Sequence, residues 1–108
     1  SAFRSPFYAT CQRFAGDITL LVDTAPQPVH CLVVDCSAIT DIDYSAARVV
    51  HDVLERLKAE RIQVFFGRVL PYARADMERH HIAEAVGQQN IFEQLHVALA
   101  AARRVTAD

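Results

Sequence analysis

No apolar stretch in this 108-residue chain comes near the ~18–20 residues that a membrane-spanning helix needs. If the module acts at a membrane, another part of a larger protein must hold it there. Cysteine is scarce: Cys11, Cys31 and Cys36 make an odd number with no Cys-x-x-Cys, which argues against a disulfide framework. Cys31 and Cys36 stand an odd number of positions apart, so on one regular strand they face opposite sides. Reduced, packed thiols are the expectation. Glycine is scarce too, with three in all and none in Gly-x-Gly spacing, so no Gly-rich phosphate loop is encoded. No His-Glu-x-x-His occurs. The formal net charge is only −2, which implies no broad pull toward nucleic acid or anionic lipid; no nucleic-acid partner is expected. Internal repeats, low-complexity tracts and interdomain linkers are also missing.

What is present is a hydrophobic content of 52%, which excludes a disordered chain. A domain of this length buries roughly two-thirds of the surface its unfolded chain exposes, so residues 1–108 read as one compact domain. Phe3 to Thr10 is short and aromatic, and Pro6 suits an edge strand. From about Cys11 to Thr24, Phe14, Ile18, Leu21 and Val22 recur at helical spacing, and Pro26 and Pro28 end that helix. His30 to Cys36 is a near-continuous apolar run, the mark of a strand covered on both faces. Ser37 to Asp43 is a polar loop. Tyr44 to Glu60 returns to helical period, with Ala46, Ala47, Val50, Val53, Leu54 and Leu57 as its apolar stripe. Ile62 to Leu70 is a second buried strand, and Pro71 opens a third helix running to about His80. Gly87 to Asn90 is a turn, Ile91 and Phe92 form an apolar plug, and a last helix runs through about Arg103. This alternation means crossover connections and a parallel or mixed sheet with helices packed on it.

The segment Asp35 to Ala47 is the strongest carrier of chemistry, because it joins a buried strand to the longest helix. Loops at the carboxyl ends of sheet strands are where α/β domains place binding sites. Asp43 is placed to cap the helix, favoured by the helix dipole by ~0.3–1 kcal/mol. Two readings stay open. One is a well-capped helix after an acidic turn. The other is a switch, in which a phosphate on a hydroxyl here would sit beside Asp41 and Asp43 and change what the surface binds.

The run Asp35-x-Ser37-x-Ile39-x-x-Ile42-Asp43-x-Ser45-Ala46 resembles the central motif of the STAS family, written loosely D-x-S-x-V-x-x-I-D-x-[ST]-[GA]. That family includes the anti-sigma factor antagonists and the C-terminal domains of SulP anion transporters. Thr40 to Ala47, the opening Ser5 to Phe14, and the tail Gly87 to Phe92 followed by Leu95-His96 are similar to the SulP branch. The resemblance covers nearly the whole chain. It implies an α/β STAS-like fold, a small mixed sheet of about four strands with helices mainly on one face. It also implies a regulatory domain on the cytoplasmic side of the membrane, with no catalytic residues and no cofactor. Its partners would be the transmembrane domain of the same transporter, a second copy or another protein, with weak nucleotide or anion binding in some members. The regulatory, partner-binding loop would be Asp41, Asp43, Tyr44 and Ser45. The chain opens Ser1-Ala2 with no Met, which suggests an excised fragment or a cloning scar. The family's first strand normally begins before Phe3, so a truncated first strand is expected, with any membrane spans upstream.

One departure matters. In the phosphorylated antagonists the modified serine directly follows the aspartate that matches Asp43. Tyr44 stands there, and Ser45 lies one residue later. This weakens the alternative, a free-standing antagonist that binds a partner kinase. Thr10 also stands where the SulP pattern commonly has Asn.

Three other groupings carry less. His80 and His81 point about 100° apart on a helix with no further ligand at useful spacing, so no metal is expected. Arg68, Arg74, Arg79, His80 and His81 are interrupted by Asp76, Glu78 and Glu84, the pattern of a mixed surface. Ser45 and His51 are six residues apart on one helix and cannot form a catalytic dyad.

Overall fold

The computed structural model describes residues 6–10 and 13–106. Its elements are β1 (Phe7–Thr10), α1 (Phe14–Thr24), β2 (Cys31–Asp35), α2 (Tyr44–Ala59), β3 (Gln63–Gly67), α3 (Pro71–Arg79), α4 (Ile82–Val86), a 3₁₀ turn (Gln88–Asn90) and α5 (Leu95–Thr106). The sheet runs β1-β2-β3, and both pairings are parallel, with Tyr8 beside Val33 and Val33 beside Phe65. Two crossovers that step the same way across a sheet place their helices on the same face. α1 and α2 are those helices.

β2 is central, and all five of its residues are buried. Alternation sorts them. Leu32 and Val34 join Ile18, Leu57, Phe66 and Met77 in the larger core. Cys31 and Val33 join Phe65, Ala98 and Ala102 on the opposite face. Cys31 and Cys36 therefore look to opposite sides, as the odd spacing requires. Burial pushes the Cys31 thiol up to about 11, against the lowering effect of a backbone hydrogen bond at Leu32. Cys11 lies outside the described residues, as do Phe3, Arg4 and Ser5 of the expected first strand.

The sheet differs from the expectation in two ways. It is wholly parallel among the described residues, and the fourth strand shrinks to one parallel bridge, Phe66 to Ile91. Of residues 91–94, which separate the 3₁₀ turn from α5, only Ile91 bridges to β3. The helices lie mainly on one face, as expected. The elements of the larger core lie on one face, while α5 alone covers the other with Ala98, Ala101 and Ala102. The alanines let α5 approach closely. Gly67 takes part in this, because a Cβ there would come within 2.8 Å of Leu95 Cδ1 and 3.2 Å of Leu95 Cα.

The third helix ends at Arg79 with His80 as its C-cap, where the sequence places its end. His81 takes a left-handed turn (φ 63°) and opens α4, a five-residue helix that the periodicity does not reveal. α4 buries Ile82 and Ala83 and ends at Gly87, whose φ of 98° suits glycine.

Candidate functional site

Because the strands are parallel, Thr10, Asp35 and Gly67 all end at one edge of the sheet. The loop from Cys36 to Asp43 leaves from the middle of that edge. Asp35 is its root. Its side chain is only 4% exposed, and it accepts hydrogen bonds from Tyr8 Oη at 2.9 Å and from the Ser37 N–H at 3.0 Å. The Arg68 guanidinium lies 3.5 Å away, on a residue held at φ 56° just past β3. Burial pushes the Asp35 carboxyl up. The backbone and side-chain hydrogen bonds of Ser37, the Tyr8 hydroxyl and the Arg68 charge outweigh it and hold the group below its ordinary value of 3.8. Asp35 is thus a charged pin, satisfied from three sides. Thr10 Oγ1 extends the chain of contacts to Tyr8 Oη at 3.3 Å.

From this root the loop is held from beneath. Cys36 N–H donates to Gly67 O at 2.9 Å and Ile39 N–H to Cys36 O at 3.0 Å. Ile42 is buried and Ile39 packs partly against the same core. Ile42 N–H reaches Asp76 Oδ2 of α3 at 3.3 Å. The backbone bond to Ile42 and the ion pair with Arg79 hold the Asp76 carboxyl below its usual range against burial, with the Arg79 and His80 charges adding to this. The spacing Ile39-x-x-Ile42 thus has a physical purpose: it turns two side chains down and leaves the intervening polar residues on top.

Asp41, Asp43, Tyr44 and Ser45 all lie on the exposed side. Asp43 caps α2 as its position requires, accepting from Ala46 N–H at 2.8 Å. Asp41 accepts from Thr40 Oγ1 at 3.4 Å. Tyr44 is 69% exposed, and Ser45 sits in the first turn with it. The structure brings these four residues together on one short surface. Beside them runs a shallow groove of about 530 Å³ between α1 and α2, walled by Leu20, Val49 and Val53, with Gly16 leaving its floor open. Leu20 is 63% exposed and Val49 48%. The far end of the groove is latched by Arg56, which bonds Asp23 and Glu60 at 2.6 Å each; this pairing raises its pKa.

The scattered basic residues do not form a patch. Arg68 turns to Asp35, Arg74 to Glu78 and to the carbonyls of Ile91 and Gln88, and Arg79 to Asp76. His81 Nδ1 lies 2.5 Å from Glu84. His51 Nε2 meets the His80 carbonyl at 2.7 Å, so the histidine on α2 ties off the end of α3. Among the described residues no three His, Cys, Asp or Glu side chains gather as a metal set, and no helix is long and apolar enough to cross a membrane.

Sequence reasoning missed two functional supports. Asp35 was visible only as a motif letter, since its partners Tyr8 and Arg68 are 27 and 33 positions away. Asp76 was counted as an interruption of a basic patch, and nothing local to it announces the Ile42 N–H. The D-x-S spacing was the available signal for Asp35, because an aspartate two residues before a small polar residue often accepts that residue's N–H.

The comparisons agree with this geometry. The backbone is similar to that of a sulfate transporter family protein from Wolinella succinogenes, at TM-score 0.85 and 14% identity, over 96% of this chain and 89% of that one. It is similar to the STAS domain of a SulP transporter from Vibrio cholerae, at TM-score 0.82 and 14% identity, over 97% and 87%. It also matches part of the murine Slc26a9 anion transporter in its inward-facing state, at TM-score 0.68 and 17% identity, over 84% of this chain and 15% of that one. No curated protein matches the sequence at a significant level. The family model of the STAS domain matches residues 6–98, and the chain belongs to the STAS domain family.

Proposed function

We propose that this STAS domain is the regulatory and interaction module of a SulP-type anion transporter, and that the Asp41–Ser45 loop with the start of α2 is its docking face. The observation that carries the reading is the build of that loop. Ile39, Ile42 and Asp76 fix it from below, so Asp41, Asp43 and Tyr44 present a constant acidic and aromatic shape to a partner. The adjoining α1–α2 groove adds exposed Leu20 and Val49. An aromatic anchor in a polar rim next to apolar surface is how protein interfaces concentrate their binding energy. The module works by contact, and the membrane-embedded part of the same protein is the partner in this reading, on the cytoplasmic side. No enzymatic step is assigned to it.

The test is anion uptake by the full-length parent protein carrying Asp41→Asn and Asp43→Asn. Asparagine keeps the helix cap, so the domain stays folded while two charges leave the face. Altered uptake kinetics with an unchanged melting temperature support the docking face; unchanged uptake sinks it. A second reading has one observation in its favour. Ser45 is exposed in the first turn of α2, where a kinase can reach it. Incubation with a partner kinase and ATP, read by intact mass, tests this: a phosphate gain that disappears in Ser45→Ala would favour an antagonist that binds a partner kinase, and no gain would remove that reading.

A further inference from the structure

The opposite edge of the sheet, at the amino ends of the strands, carries a second concavity. It lies along α2 about 20 Å from Tyr44, since Lys58 stands fourteen positions after Tyr44 at ~1.5 Å per residue. The hollow measures about 470 Å³ and is formed by the end of α2, the outer edge of β3 and the tail of α5, with Leu54, Leu57, Val64 and Val86 among its walls. That volume lies in the range of ligand-binding clefts. Exposed Lys58 and Arg61 stand on its rim.

Its charge is one-sided. The chain has 13 acidic residues to 11 lysines and arginines, yet among the described residues no Asp or Glu lines this hollow. Among the described residues Lys58 and Arg61 have no ion-pair partner, whereas Arg56, Arg68, Arg74 and Arg79 each have a carboxylate. A smaller hollow of about 150 Å³ adjoins it through Arg61 and Gln63, adds His30, and has no acidic wall either among the described residues.

The backbone is open at the same place. Gln63 N–H donates to His30 O at 3.0 Å and Cys36 N–H to Gly67 O at 2.9 Å, so Gln63, Phe65 and Gly67 face β2. Alternation along a parallel ladder turns the main-chain groups of Val64 and Phe66 outward. Phe66 O accepts from Phe92 N–H at 2.9 Å. The bridge stops there, and among the described residues no strand faces Val64. An available donor and acceptor thus look into a hollow with aliphatic walls at Leu54, Leu57 and Val86 and cations at its rim.

We propose that this hollow binds an extended acidic segment of a partner protein. One residue of the segment pairs its main chain with Val64, its apolar side chain enters between Leu54 and Val86, and flanking carboxylates meet Lys58 and Arg61. Charge selects this occupant. A basic segment meets two uncompensated cations, and a wholly apolar one leaves those cations buried without partners. A small free anion uses the cations but neither the hollow nor the strand edge, while strand addition uses all three.

The experiment is a titration of the isotope-labelled chain with a blocked hexapeptide of alternating Glu and Val, followed by amide shifts. A Lys-Val peptide and glutarate are the comparisons. Saturable shifts confined to 58–66 and the neighbourhood of Val86 are expected for the acidic peptide alone. Affinity falls roughly tenfold in Lys58→Ala/Arg61→Asn; asparagine tolerates the left-handed backbone at that position, and Lys58→Glu alone serves as the second variant. Asp41→Asn leaves the titration unchanged, which separates this site from the loop. The proposal is overturned by an absence of saturable shifts at millimolar peptide, by equal binding of the Lys-Val peptide, by full retention of affinity in both variants, or by glutarate giving the same shifts with the same affinity.

Discussion

The two edges of the sheet follow opposite rules. At the carboxyl edge the acidic groups hold structure in place: Asp35 accepts from Tyr8 and Ser37, Asp43 caps α2, and Asp76 takes the Ile42 N–H. At the amino edge, among the described residues, Lys58 and Arg61 stand without carboxylates and Val64 has no strand outside it. Polar groups at one edge are consumed in fixing a loop, and at the other they are left available. Charge alone therefore does not say how a surface can bind; whether the charged groups already have partners separates a surface that offers shape from one that offers free charge. A rigid loop offers shape to a partner, and an unfilled edge offers unsatisfied groups.

The comparison breaks most visibly at Asp35. Removing its carboxylate in Asp35→Ala takes the acceptor from Tyr8 Oη and Ser37 N–H and the counter-charge from Arg68. Tyr8 and Arg68 still reach water, which limits the loss to about 2 kcal/mol. Chemical denaturation measures it, and a loss near zero would mean that the carboxyl edge is no more fixed than the amino edge. The same group sets a pH dependence. Its folded pKa lies below the ordinary 3.8, so it adds stability that is fully present above the unfolded value. That contribution disappears as pH falls through the folded value. The stability of the native chain should therefore decline below about pH 4, and Asp35→Ala should flatten part of that decline. Loss of the whole decline would exclude any share for Asp76 and the exposed acids.

A smaller effect sharpens the contrast along a single helix. α2 begins at Asp43, whose side chain caps it, and ends in a turn where Ile62 N–H bonds Leu57 O at 2.8 Å and Arg61 N–H bonds Lys58 O at 3.0 Å. Asp43→Ala frees the Ala46 N–H and costs about 1 kcal/mol, while Asp43→Asn is close to neutral. Melting curves of the two variants separate the cap from the charge. Equal destabilisation by both would assign the effect to charge.

These edges were unequally legible in the sequence. β2 reads as buried because its run is apolar at successive positions, and α2 reads as a helix because Val50, Val53, Leu54 and Leu57 recur on one face. Asp43 reads as a cap because capping is local. The contacts that fix the loop are not local: Tyr8 to Asp35 and Asp76 to Ile42 cross 27 and 34 positions, and no periodicity encodes them. α4 is too short to show a period. α5 carries an alanine stripe that fits either face of the sheet, and only the packing of Ala98 and Ala102 on Val33 and Phe65 assigns it. The open amino edge was unreadable for a related reason. A strand that ends in a one-residue bridge looks the same in sequence as one that is fully paired.

At Arg61 the sign reverses. Arg61 follows the end of α2 with φ 59°, in the turn where glycine is the usual residue. A left-handed residue with a Cβ costs roughly 1–2 kcal/mol, and glycine there removes that cost. Glycine also gives the unfolded chain more freedom, which offsets roughly 0.5–1 kcal/mol of the gain. Arg61→Gly should therefore stabilise the chain by roughly 0.5 kcal/mol, measured by chemical denaturation. At the carboxyl edge, by contrast, removing a charged side chain lowers stability. Arg61→Ala is the control, since it deletes the same charge and keeps the strained backbone; it should leave stability nearly unchanged. If Ala stabilises as much as Gly, the relief comes from separating Arg61 from Lys58 and His30, and backbone strain is not its source. If Gly destabilises, the arginine side chain itself packs into the end of α2, and the amino edge is then held by its cations much as the carboxyl edge is held by its acids.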